Sequence, residues 1–121
     1  MNFNTLPNQA IERGLDAVWL KMQVTSSNIA NYETPNYKAK KVTFDQVLRS
    51  VSPENADQKS LAYRMSVTED KTTTARVNGN NVVMEKEQLD LWKEQVQYAA
   101  LVQKVSGSYA NIRNVVTQLS R

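Results

Sequence analysis

The chain has no cysteine and no histidine among its 121 residues. That excludes disulfide staples, thiol nucleophiles, histidine general bases and zinc sites built from those residues. Chemistry resting on carboxylates alone stays formally open. Aromatic residues make up only 7% of the chain, so its core must rest on aliphatic seams. Charge of one sign is also scarce: 15 basic against 12 acidic residues give a net charge of +3. A nucleic-acid binder of this size would carry a clustered basic patch. No apolar run approaches the ~20 residues of a membrane-spanning helix. The N-terminal stretch Met1-Asn2-Phe3-Asn4-Thr5-Leu6-Pro7 has neither the cationic nor the apolar region of a cleaved signal peptide. The expectation is a chain that stays in the cytosol or leaves it by a route needing no such peptide.

What is present is globular in character, with 40% apolar and 22% charged residues and a length of about one domain. From Pro7 to about Asn31, apolar positions recur as Ile11, Leu15, Val18, Met22, Thr25 and Ile29, in steps of 4 and 3. This is a coiled-coil seam with one polar member, Thr25, and it predicts a helix. Pro35 ends it by pushing Thr34 out of the helical region. Pro35-Asn36 then fits the centre of a type II turn, where the second residue needs positive φ.

The segment from Lys38 to Asn81 is different. Val42, Phe44, Val47 and Leu48 read as a short apolar anchor, and Ser50 to Ser60 as a loop. Leu61, Tyr63, Met65 and Val67 alternate like a strand, with Thr72, Thr74 and Arg76 as its expected partner. In the last segment Asn80 or Asn81 is expected to cap a helix, with Glu85 and Glu87 favouring its N-terminal dipole. The seam Leu91, Gln95, Tyr98, Val102, Val105, Tyr109, Ile112, Val116, Leu119 then predicts a helix from about Val83 to Leu119. The fold expected is mainly α: long N- and C-terminal helices packed as an antiparallel coiled-coil-like hairpin, with a loop and a small β-hairpin between them. Its segments would be 1–37, 38–81 and 82–121, forming one structural unit. The longer helix leaves apolar surface that either stays internal or meets other chains.

Ser27-Asn28-Ile29-Ala30-Asn31-Tyr32-Glu33-Thr34-Pro35-Asn36-Tyr37-Lys38 resembles the signature of bacterial flagellar rod and hook proteins, S-N-(I/L)-A-N, two variable residues, then T-P-G-Y. Asn36 replaces the usual Gly, and Asn is the next-best residue at positive φ. Asn78-Gly79-Asn80-Asn81-Val82, followed by the long heptad helix, resembles the C-terminal core of the same family, with Asn78 where Asp is more usual. Tyr37-Lys38-Ala39-Lys40-Lys41-Val42-Thr43-Phe44 resembles the pattern Y-K-A-x-x-V-x-F of a proximal rod protein. Only about 45 residues separate the two motifs, which also resembles a proximal rod subunit rather than a hook relative.

The resemblance implies a structural subunit with no enzymatic activity and no cofactor. It implies export through the flagellar type III apparatus without a cleaved signal peptide, and polymerisation in the periplasm into a helical tube that transmits torque and encloses the export channel. Implied partners are further copies, other rod proteins, the rod-base adaptor and the membrane ring, with no nucleic acid and no membrane span. The expected motif and assembly residues are Asn28, Ile29, Ala30, Asn31, Thr34, Pro35, Asn36, Tyr37, Asn80, Asn81, Tyr98, Val105, Ile112 and Leu119. Asn28 and Asn31 would cap local carbonyls or bridge to a neighbour, and Tyr37 would pack internally or between subunits. Lys38, Lys40 and Lys41 read as a solvated run or as a contact for an acidic neighbour. Glu12 with Asp16, and Glu87 with Asp90 and Glu94, read as solvated helix faces. A cytosolic coiled-coil export adaptor or chaperone is the rival reading; it explains the heptads but not the two motifs.

Overall fold

A computed structural model describes residues 6–50 and 59–120, with side chains over 10–44 and 64–120. Helix α1 spans Leu6–Ala30, strand β1 Lys40–Ser50, strand β2 Lys59–Glu69 and helix α2 Met84–Leu119. Among the described residues no helix is long and apolar enough to cross a membrane.

The helices run antiparallel. Thr25 near the end of α1 meets Glu94 early in α2, while Gly14 near the start of α1 lies against Leu101. An added Cβ at Gly14 would stand 3.5 Å from the Leu101 side chain, an ordinary packing contact. Trp19 and Tyr98 meet with ring centroids 6.1 Å apart. At 1.5 Å per residue α1 is about 37 Å long and α2 about 54 Å. Extending the Gly14–Leu101 alignment back to Leu6 brings α1 to its end near residue 109 of α2. Beyond that level Val115, Val116 and Leu119 are exposed.

The α2 seam differs in phase from the sequence expectation. Leu91, Tyr98, Val105 and Ile112 lie on its covered side, but the residues between them are Glu87, Glu94, Leu101 and Ser108. Gln95, Val102, Tyr109 and Val116 are exposed. The cause is local: Glu87 and Glu94 find polar partners on α1, so two charged positions occupy the seam and the apolar series beside them turns outward.

The β-hairpin exists, but its partner strand is not 72–76. β1 pairs antiparallel with β2, from Lys40↔Glu69 through Val42↔Val67 and Phe44↔Met65 to Ser50↔Lys59. Val42, Phe44, Val47 and Leu48 thus belong to a strand rather than an isolated anchor. Thr72 is turned away by Asp70, whose Oδ1 accepts from the Thr72 amide at 2.9 Å and its hydroxyl at 2.6 Å, a local turn that competes with strand pairing. Most of the loop expected over Ser50–Ser60 lies outside the described residues. Lys21 places its ammonium 5.0 Å from the Phe44 ring centroid, holding the ribbon beside α1.

Candidate functional site

The rod-like motif at the end of α1 and the Asn-Gly-Asn-Asn stretch before α2 fold onto each other. The expected turn at Thr34–Tyr37 is present. Asn36 has φ 62°, and the Tyr37 amide donates back to the Thr34 carbonyl at 3.4 Å. Gly79 has φ 83° and packs so closely that a Cβ there would stand 2.3 Å from Asn36 Oδ1. The Asn36 amide donates to the Asn78 carbonyl at 2.9 Å, which ties the two turns together.

Three buried asparagines hold this junction. Asn28 is 1% exposed. Its amide nitrogen donates to the Lys40 carbonyl at 2.8 Å and to Glu87 Oε2 at 3.1 Å. Its oxygen accepts from the Lys40 amide at 2.9 Å and the Tyr37 hydroxyl at 3.3 Å. All four hydrogen-bonding valences of the side chain are thus used, linking α1, β1 and α2. Asn80 donates through Nδ2 to the carbonyls of Asn31, Tyr32 and Thr34 at 2.8, 3.0 and 2.8 Å. It thereby ties the turn that follows α1 to the segment before α2, while the carbonyls of Ser27, Asn28 and Ile29 accept locally from the Asn31 and Tyr32 amides. Asn81 accepts from the Ala39 amide at 2.5 Å and donates to the Asp70 carbonyl at 2.9 Å.

Neither Asn80 nor Asn81 caps α2. The N-cap is Val83, with no side-chain cap bond. Both asparagines are drawn to partners on other segments instead, and the Asn80 oxygen accepts from the Val82 amide, one residue short of the cap. Asn31 does cap locally, donating to the Ser27 carbonyl at 2.8 Å and accepting from the Thr34 hydroxyl at 3.1 Å. Tyr37 points inward to Asn28. Lys38, Lys40 and Lys41 are exposed, and the Lys38 ammonium donates to the Gly79 carbonyl. Ile29 is half-buried, and Ala30, Thr34 and Pro35 are exposed. Tyr98, Val105 and Ile112 are half-buried on the side of α2 that faces α1, and Leu119 is 76% exposed.

The acidic group on α2 is not a solvated face. Glu87 is buried, and burial pushes its carboxyl above the ordinary range, partly offset by the Asn28 bond. Glu94 is shifted the same way by burial, partly offset by the Thr25 hydroxyl at 3.1 Å, and its Oε2 is buried without a partner. Asp70 behaves oppositely. Burial alone would raise it, but bonds from Lys86 and Thr72 hold it well below the ordinary carboxylate value. The Lys86–Asp70 pair is 2.5 Å long, and that bond raises the Lys86 ammonium. These groups border an open cleft of about 230 Å³, with Lys21, Lys40 and Lys41 on its other sides. Among the described residues no group of three or more metal-ligating side chains converges.

Sequence reasoning passed over several members of the junction. Arg76 stacks its guanidinium 4.0 Å from the Tyr32 ring centroid and donates to the Tyr32 carbonyl. Asp70 has no periodic signal, whereas Glu87 and Glu94, seven residues apart and facing Asn28 and Thr25, carry the seam spacing that marks them as more than a solvated face.

The arrangement is that of a structural module: two turns locked together, a polar junction, and a long helix with uncovered apolar residues. Comparison with known proteins agrees. Residues 11–38 match the family model described as flagella basal body rod protein. The chain is 34% identical over 118 residues to the flagellar basal body rod protein FlgB of Bacillus subtilis, covering 90% of this chain and 92% of that one. It is 28% identical to FlgB of Borrelia hermsii, covering 96% of this chain and 99% of the relative, and 30% identical to FlgB of Borreliella burgdorferi, covering 86% and 90%. The chain belongs to the flagellar basal-body rod protein family. Within that family its full-length relatives are FlgB proteins, and its role is that of a structural rod subunit of the flagellar basal body. The family is a structural one, not an enzyme family, and the export-adaptor reading is not favoured.

Proposed function

We propose that the chain builds the proximal part of the rod, in the periplasm, after export without a cleaved signal peptide through the flagellar type III apparatus. Copies join through their terminal helices, with other rod proteins, the rod-base adaptor and the membrane ring as neighbours. A heterologous contact that does not close generates a helical tube, which transmits torque and leaves a channel for later export substrates. Residues 1–37, 38–81 and 82–121 act as one unit. Asn28, Ile29, Ala30, Asn31, Thr34, Pro35, Asn36, Tyr37, Asn80 and Asn81 set the angle at which the helices leave the junction. Tyr98, Val105 and Ile112 hold α2 in place, and Leu119 touches the neighbouring subunit.

The observation that supports this most is the mismatch of the helices. α2 outruns α1 and keeps Val115, Val116 and Leu119 exposed, and apolar surface of that kind marks a contact with other chains. The test is complementation of a strain lacking the protein, followed by basal-body purification. The chain should co-purify with rods, and cells lacking it should build no rod. Recovery only in the cytosolic fraction, with rods intact, would overturn the reading.

A further inference from the structure

Among the asparagines of the chain, Asn78 alone precedes a glycine. That pairing is chemically weak. The amide nitrogen that follows an asparagine attacks the side-chain Cγ once it gives up its proton, and glycine, having no Cβ, leaves that nitrogen unshielded. A bond forms between the Gly79 nitrogen and Asn78 Cγ, the bond from Cγ to the side-chain nitrogen breaks, and ammonia leaves with the proton. Water then opens the five-membered succinimide. Attack at Cγ gives aspartate. Attack at the main-chain carbonyl carbon gives isoaspartate, whose main chain runs through Cβ and Cγ. Water is the one co-reactant, and nothing is oxidised or reduced.

The closed junction restrains each participant. The Gly79 amide, the nucleophile, donates its proton to the Arg76 carbonyl at 2.8 Å. The Asn78 side-chain oxygen accepts from the Asn80 amide at 3.1 Å, an Asx turn that fixes the rotation of the side chain. The Asn78 main-chain carbonyl accepts from the Asn36 amide at 2.9 Å, which fixes the peptide plane between residues 78 and 79. Gly79 is wedged against Asn36 at φ 83°. Asn78 itself is exposed, so water reaches it freely and the restraint is one of conformation. The last two restraints come from the Asn36 turn, and they exist only while the two turns are locked.

We propose that Asn78 is a self-modification site that the closed junction keeps silent, and that its isoaspartyl product prevents the junction from locking again. In that product the former main-chain carbonyl becomes a free carboxylate, and the chain from Gly79 onward is displaced by one extra main-chain carbon. The Asn36 amide then loses its partner in place. The aspartyl product keeps both the main-chain carbonyl and an oxygen for the Asn80 amide, so it locks normally. A copy that stays open too long thus loses its shape in one direction only. The proposal does not depend on the rod assignment.

The test needs only the wild-type chain. Purified protein is aged in mildly alkaline buffer with and without urea, and deamidation at each asparagine is followed by peptide mass spectrometry. In urea Asn78 should react faster than any other asparagine. In buffer it should react at least about tenfold more slowly than in urea, because local opening gates the attack. The aspartyl and isoaspartyl chains are then separated, refolded, and compared by hydrogen exchange at the Asn36 amide. Exchange there should be at least about tenfold faster in the isoaspartyl chain and unchanged in the aspartyl one. Equal rates in buffer and urea would overturn the proposal, as would an Asn78 no more reactive in urea than the other asparagines. An isoaspartyl chain that protects the Asn36 amide fully, or an aspartyl chain that does not, would overturn it as well.

Discussion

The two ends of the helical hairpin are built on opposite plans. At the junction, where α1 ends and α2 begins, the buried groups are polar: Asn28, Asn80, Asn81, Asp70 and Glu87 are all under 9% exposed. At the far end of α2 the exposed groups are apolar, with Tyr109, Val115, Val116 and Leu119 all at least 44% exposed. A buried hydrogen-bonded junction fixes geometry, because each unmade bond costs about 1–3 kcal/mol and few alternative arrangements satisfy all of them. An exposed apolar end fixes little by itself and gains from whatever covers it. The difference separates a part that sets shape from a part that, on the proposed assembly, receives neighbours.

The sharpest way to break the comparison is to remove the centre of the junction. Asn28→Leu strips the donor from Glu87 and both partners from Lys40, and should cost about 3 kcal/mol or more, read by urea unfolding of the monomer. A loss under half that size would mean water replaces the side chain and the junction is less rigid than its geometry. Next comes Ile112→Asp, which places a charge in the half-buried seam. It should destabilise the monomer by about 2 kcal/mol and leave cells without rods, whereas Arg113→Asp should change stability by about 0.5 kcal/mol or less. Export of each variant is followed separately, since a secretion defect mimics an assembly defect.

The locked turns offer a finer probe. Gly79→Ala meets Asn36 Oδ1 and a left-handed backbone together, and should cost about 1–2 kcal/mol. Asn36→Gly should be tolerated, and the double variant should be less damaged than Gly79→Ala alone; equal damage would show that the backbone, not the contact, is decisive. Asn36→Val should harm the turn.

The seam carboxylates add a pH dependence. Glu87 and Glu94 have raised folded values, so their contribution to stability is complete below the ordinary glutamate range and is lost as pH rises through the folded values. Asp70 is depressed, so its contribution is present above the ordinary aspartate value and is lost as pH falls toward its folded value. Monomer stability should therefore peak in mild acid. Glu94→Gln should flatten the decline on the alkaline side, measured by melting from pH 5 to 8; an unchanged slope would assign the decline to Glu87. The smallest effect on the monomer belongs to the open end. Leu119→Ser should shift its stability by no more than about 0.5 kcal/mol while reducing recovery of the chain in basal bodies.

Both helices were legible because their heptads are long, and the Asn36 turn because its chemistry is local. The phase of the α2 seam was not. Hydropathy favours Val102, Tyr109 and Val116, and nothing in a one-dimensional pattern says that Thr25 and Asn28 will make Glu94 and Glu87 welcome inside. The hairpin was half legible: β2 alternates clearly, but its partner was sought downstream at Thr72, where Asp70 turns the chain, rather than upstream at Val42. The roles of Asn28, Asn80 and Asn81 were beyond reach for the same reason. Their motifs stand out, but several of their partners lie 11 to 59 residues away in the chain.

The bonds from Asn80 to the turn after α1 also have a consequence in time. The carbonyls of Asn31, Tyr32 and Thr34 are satisfied by a residue 46 to 49 positions later. A chain that emerges N-terminus first must therefore leave the turn after α1 without these bonds until residue 80 has appeared. Contacts of such long sequence separation form late, because the intervening loop must close before they yield any gain. The direction in which the chain leaves α1 is thus fixed late, although the last turn of the helix closes on local bonds. The molecule commits to its shape only when nearly two thirds of it is free to bend back, so a partly threaded chain stays pliable.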